Sequence, residues 1–240
     1  MITFTPLASS SSGNCYTVSD GETTLLLDCG LSWRKAREAL NFRTSEIAGV
    51  CLTHSHLDHS KGAEAAARAG LDIYASRETL DALSVPEHRR NVVEDNQRFD
   101  IGTWAGLPFK AVHDKEGAFG YYMVTRTGEG FLYLTDSAYA PVRFASLNVI
   151  AIECNFVSEV LSRNVVSGDV NGFVAHRTRR THFSLDTVIE FLRANDLSHC
   201  RAVWLLHLSN TNSSEEIMRR RVQEETGIPV YVAGERGNWV

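Results

Sequence analysis

In Thr53-His-Ser-His-Leu-Asp-His59, three imidazoles and a carboxylate fall within six residues of a 240-residue chain. The run directly follows Gly49-Val-Cys-Leu52, an apolar stretch that reads as a buried strand. A loop leaving a strand sends alternate side chains to different sides of one small cavity. His54 and His56 are therefore expected to hold one cation, with Asp58 and His59 holding a neighbour. Imidazole nitrogen and carboxylate oxygen suit zinc, manganese or iron. The competing reading is a solvated, histidine-rich turn that binds nothing.

Working outward, the chain reads as one domain over residues 1–240. Hydrophobic residues at 43% and charged residues at 22% are the balance of a water-soluble globular protein. No apolar run approaches the roughly 20 residues of a bilayer span, so no membrane partner is expected. Met1-Ile-Thr-Phe-Thr-Pro6 lacks the basic and apolar segments of a signal peptide, which points to the cytoplasm. The cysteines (Cys15, Cys29, Cys51, Cys154, Cys200) are five in number and scattered. Reduced, buried thiols are expected, with a thiolate ligand at Cys154 or Cys200 as the alternative. A formal charge of −5 argues against a broad basic face coating nucleic acid. It leaves a nuclease open, because divalent cations make a cleft locally positive.

Strands are expected over Ile2–Leu7, Cys15–Val18 and Thr24–Asp28, then a helix from Trp33 to Leu40 capped by Ser32. A further helix, Gly62–Ala69, stops at Gly70, and Asp72–Ala75 precedes a helix capped by Ser76. Leu107–Val112, Gly120–Thr125, Phe131–Leu134, Val149–Glu153, Ala202–His207 and Pro229–Ala233 read as strands. Leu185–Asn195 is helical, and Ser213-x-x-Glu216 is a capping box opening a helix that ends at Gly227. This pattern alone supports a generic α/β fold.

A two-cation site needs more donors than one loop supplies. His113, Asp136 and His207 each follow a strand, and taken singly each is as compatible with a hydrogen-bonded structural role. The motif His-x-His-x-Asp-His resembles that of the metallo-β-lactamase-fold hydrolases, which implies an αββα four-layer sandwich. The later donors follow in that family's order. The resemblance implies that His54, His56 and His113 bind one divalent ion and that Asp58, His59 and His207 bind a second. It further implies that Asp136 bridges them, with a water of lowered pKa between. It also places Glu153 behind His182, the pair found in the tRNase Z-like branch, where the histidine protonates a leaving oxygen. Asp58, Glu153 and His182 make up the expected catalytic set. The alternatives for His182 are a cap on the following helix or a ligand in place of His207.

Leu7-Ala-Ser-Ser-Ser-Ser-Gly-Asn14, Leu25-Leu-Leu-Asp-Cys-Gly-Leu-Ser32, Val112-His-Asp114, Phe119-Gly-Tyr121, Thr135-Asp-Ser137, Glu153-Cys-Asn155 and His207-Leu-Ser-Asn-Thr-Asn-Ser213 resemble the YycJ/WalJ family across the whole chain. Two places depart from it: Ser10, where the family often has Gly, and Phe156-Val157, where it commonly has His-Asp. The resemblance implies a 5′→3′ DNA exonuclease, often manganese-dependent. A small-molecule phosphodiesterase acting on cyclic nucleotides or ribosyl phosphates is the alternative, and a catalytically idle metal-binding module a third reading. The expected partner is thus DNA or another nucleotide phosphodiester; a homodimer is left open. His176-Arg-Thr-Arg-Arg180 reads as a contact to a nucleic-acid backbone or as a solvated loop, and Arg219-Arg-Arg221 as an ordinary charged helix face.

Overall fold

Thr3–Ser10 (β1) and Gly13–Ser19 (β2) form a hairpin, paired antiparallel from Thr3↔Ser19 to Ser10↔Gly13. The structure, a computed structural model, describes residues 1–234. It divides into two units, one comprising Met1–Lys110 with Lys115–Gly130 and the other Ala111–Asp114 with Phe131–Ala233.

In the first unit the hairpin is followed by β3 (Thr24–Leu27), α1 (Trp33–Ala39), β4 (Ile47–Cys51), α2 (Leu57–Ser60), α3 (Ala63–Arg68), β5 (Ile73–Ala75), α4 (Arg77–Asp81) and β6 (Arg90–Val92). The sheet runs in the order β1-β2-β3-β4-β5-β6, and from β3 onward its pairs are parallel. Leu25, Leu26, Leu27, Val50 and Cys51 are all fully buried, as expected where parallel strands are covered on both faces. Ala36, Ala63, Ala66 and Ala67 bring α1 and α3 close against Leu26, Val50, Leu52 and Ile73. Ser32 and Ser76 cap α1 and α4 as expected, accepting from Lys35 N and Thr79 N. Then β7 (Phe99–Ile101), β8 (Trp104–Lys110) and β9 (Phe119–Thr125) pair antiparallel.

The sequence predicts a loop over the histidine run, but its second half is the short helix α2, with His56 at the N-cap position. The segment after β3 is tied to α2 by Cys29 N donating to His59 O (2.7 Å), to the start of α3 by Gly62 N donating to Cys29 O (2.7 Å), and to β2 by Gly30 N donating to Asn14 O (2.8 Å). A Cβ on Gly30 would strike the Asp58 carbonyl oxygen and lie 2.6 Å from Asn14 N. Gly30→Ala is accordingly expected to lower stability by about 1–3 kcal/mol, as overpacking does, read from the unfolding midpoint in denaturant. An unchanged midpoint would show that the segment yields freely.

The second unit holds β10 (Gly130–Leu134), β11 (Val149–Glu153), α5 (Ser158–Ser167), α6 (Gly172–Thr181), α7 (Leu185–Arg193), β12 (Ala202–Leu206), α8 (Glu215–Thr226) and β13 (Val230–Val232). The strands are parallel in the order β13-β12-β11-β10, and every residue of β10 and β11 is buried. Leu185, Val188, Ile189 and Leu192 form the buried stripe of α7, whose first turn is capped by Ser184. The capping box expected at Ser213 does not form. Ser214 occupies the cap position of α8 without a side-chain bond, and Ser213 Oγ donates instead to Ser209 O (2.5 Å). The helices α5 and α6 were not expected: α5 buries only Leu161, and α6 only Ala175 and Thr181. The cysteines are all unpaired in disulfide terms, and Cys200 alone is incompletely buried. Among the described residues, no helix is long and apolar enough to cross a membrane.

Candidate metal centre

The first unit gathers His54, His56, Asp58 and His59. His54 Nε2 faces His56 Nδ1 at 2.9 Å with the rings edge-on, and the His54 and His59 ring centroids are 4.3 Å apart. Two ring nitrogens this close either share one proton or turn both lone pairs to a cation; the second arrangement is what a metal site requires. His59 Nδ1 donates to the buried Asp28 carboxylate at 2.7 Å. That bond fixes the tautomer and leaves the lone pair on Nε2, which lies 3.4 Å from Asp58 Oδ2 and 3.1 Å from Asn14 Nδ2.

Sequence reading gave Asp28 no role. Its Oδ1 accepts from Thr53 N (2.8 Å), and Thr53 Oγ1 donates to both carboxylate oxygens, so it orients the start of the histidine run as well as His59. The available signal was a lone Asp closing the run Leu25-Leu-Leu27, where a charge is costly to bury unless it is hydrogen-bonded.

In the second unit, Asp136, Glu153, His182 and His207 offer donor atoms within 4.8 Å of one another. Glu153, at the end of β11 and fully buried, accepts four hydrogen bonds. Oε1 takes His182 Nδ1 (2.6 Å) and His207 Nδ1 (3.0 Å); Oε2 takes Ser137 N and Phe183 N, both at 3.1 Å. Burial works to raise its pKa, yet the facing His182 charge and these donors hold it below the usual glutamate value. Burial likewise works against a charged His182, but the Glu153 carboxylate outweighs it and raises that pKa above 6.5. Burial also opposes charge on His207, and the Asp136 and Glu153 carboxylates outweigh it, raising its pKa to about 10. His182 does not cap the following helix, because Ser184 does.

His207 Nδ1 also lies 2.9 Å from Asp136 Oδ1, which Thr135 Oγ1 supports at 2.9 Å. His113 Nδ1 donates to Thr181 O (3.1 Å), leaving the lone pair on Nε2, 3.7 Å from Asp136 Oδ2 and 3.2 Å from Asp114 Oδ1. Backbone conformation explains how strand ends present these groups. Asp28, Asp136 and His207 are left-handed, with φ of 53°, 47° and 52°. A non-glycine residue there costs roughly 1–2 kcal/mol, and such outliers concentrate at functional sites. Cys154 is buried, and desolvation pushes its thiol pKa up; it is absent from the donor cluster, as is Cys200.

The sequence comparison gives these halves their family. Residues 23–208 match the beta-lactamase superfamily domain. The chain belongs to that superfamily. Exodeoxyribonuclease YycJ of Bacillus anthracis is 30% identical over 261 aligned positions, covering 97% of this chain and 93% of that protein. Exodeoxyribonuclease WalJ of Streptococcus pneumoniae serotype 2 is 27% identical over 232 positions, covering 88% and 83%. The metallo-beta-lactamase fold protein YhfI from Bacillus subtilis matches in structure with a TM-score of 0.74 over 99% of this chain and 98% of that one, at 16% identity. The chain is thus a YycJ/WalJ-type hydrolase of the metallo-β-lactamase α/β fold, carrying a His/Asp cluster able to bind metal ions.

Proposed function

We propose that the chain is a dinuclear metal-dependent phosphodiesterase that removes nucleotides from DNA, working 5′→3′ as an exonuclease. The observation that carries this reading is the Glu153–His182 pair, closed at 2.6 Å beside Asp136. A phosphodiester expels an alkoxide, which leaves poorly unless protonated, whereas thioester hydrolysis expels a stable thiolate and has no evident use for such an acid. The curated relatives named exodeoxyribonucleases support DNA as the substrate.

His54, His56 and His113 would hold one ion, Asp58, His59 and His207 the other, with Asp136 shared. The nitrogen-and-carboxylate set, without thiolate, suits zinc or manganese and also iron. When bound, divalent ions supply Lewis acidity and an activated water. The chain's own part is to orient and to move a proton. Glu153 anchors His182 through Nδ1, so that Nε2 delivers the proton to the leaving oxygen. Asp28 keeps His59 in its metal-binding tautomer.

Asp28→Asn preserves volume but leaves one amide N–H facing either the Thr53 or the His59 donor. It is expected to weaken zinc retention about 10–100-fold in competition with a chelator; unchanged retention would deny Asp28 that role. The function itself is tested by offering single-stranded DNA, 5′-phosphorylated duplex DNA, RNA and cyclic nucleotides with manganese under one set of conditions. Shortening of DNA from its 5′ end is the expected result. Turnover of cyclic nucleotides with inert DNA would replace this reading by a small-molecule phosphodiesterase.

A further inference from the structure

Phe173, His176, Arg177 and Arg180 recur along α6 at i, i+3, i+4 and i+7 and so share one face of the helix. The buried Ala175 packs instead against Phe156 and Leu161. The stripe lines a cavity of about 510 Å³ whose remaining wall is Val112, His113, Asp114 and Thr181. It therefore leads to His113, a proposed metal ligand.

Three features of the stripe are unusual together. The Phe173 ring is 79% exposed, and the surface cost of one such ring is by itself ordinary. The helix carries Arg177, Arg179 and Arg180 and no acidic residue, in a chain of net charge −5. Arg177 is held in place, its Nε and Nη2 lying 2.9 and 2.7 Å from Asp114 Oδ2. Arg179 turns away to Ser162 Oγ (3.1 Å), whereas Arg180 has no ion-pair partner among the described residues. A flat apolar ring with guanidinium groups one and two turns further on matches a base followed by phosphates. Phe173 to Arg180 spans about 10 Å, the reach of a few nucleotides of one strand.

We propose that this face of α6 grips a single strand of DNA on its way to the metal centre. Phe173 stacks on an unpaired base, while Arg177 and Arg180 take successive backbone phosphates. The inference rests on the nuclease reading and adds to it the requirement for an unpaired strand, since a base still in a duplex cannot offer its face to the ring.

The test is fluorescence anisotropy of labelled oligo-dT with the full-length protein in excess EDTA, which stops turnover and removes metal–phosphate contacts. Phe173→Ala is expected to weaken binding roughly tenfold, and Phe173→Trp to restore it. Arg180→Ala is expected to lower the number of phosphates neutralised by about one, read from the slope of affinity against salt. Arg219→Ala, the same charge loss on α8, is expected to leave that slope in place. If both α6 variants bind as the wild type does, or if Arg219→Ala weakens binding as much as Arg180→Ala, the proposal is wrong. Dependence on Phe173 for oligo-U but not for oligo-dT would overturn the assignment to DNA. Wild-type hydrolysis of bis(p-nitrophenyl) phosphate with manganese, measured alongside, separates the outcomes: its absence indicts the nuclease reading, not the strand-binding face.

Discussion

Asp136→Ala is expected to remove at least roughly 10³-fold of the phosphodiesterase activity, more than the 10²–10³ usual for one electrostatic contact in an active site. Asp136 is buried with a left-handed backbone at φ 47°, and its carboxylate is braced by Thr135 and bonded to His207 at 2.9 Å. In the proposed mechanism it serves both ions, so its loss removes a shared ligand and the partner that orients His207 together. A collapse of the fold would give the same loss of rate, which Asp136→Asn distinguishes. The amide keeps the volume and one accepting oxygen, yet cannot supply the negative charge. The expected result is a folded protein, judged by its melting transition, with metal content reduced by elemental analysis and activity nearly absent. His56→Ala should behave alike. Activity within tenfold of wild type in both variants would remove the metal mechanism.

What the sequence made legible follows from how each signal arises. The run at His54–His59 is local, so its spacing survives in one dimension, and the strands that carry Asp136, Glu153 and His207 announce themselves as buried apolar runs. The helical face of α7 was equally plain because four of its buried residues recur at helical spacing. By contrast α6 buries only Ala175 and Thr181, so nothing apolar betrays its period, and a polar stretch of that kind reads as loop. Asp28 is silent for a different reason. Its partners Thr53 and His59 lie 25 and 31 residues away, and a single carboxylate after a strand carries no pattern. The box at Ser213 failed because the same residue types can bond backward: Ser213 turned to Ser209 and left the cap position to its neighbour.

His182→Ala should separate substrates by their leaving groups. On DNA, where an alkoxide must be protonated as it departs, a loss of about 10²–10⁴-fold in kcat is expected, the range attributed to a positioned general acid. On bis(p-nitrophenyl) phosphate the departing phenolate is stable without a proton, and the loss should be much smaller. The pH profile supplies an independent check. Burial alone would lower the proton affinity of His182, but Glu153 outweighs it and the net shift is upward from 6.5. Wild-type activity on DNA should therefore persist above that value and fall on the alkaline side as the proton is lost. Glu153→Gln removes the charge responsible and should move that limb toward lower pH, while His182→Ala should show no such limb. Equal losses on both substrates, with the alkaline limb intact in His182→Ala, would reduce this histidine to a structural partner of Glu153. The case for a phosphodiester substrate would then lose the observation on which it stands.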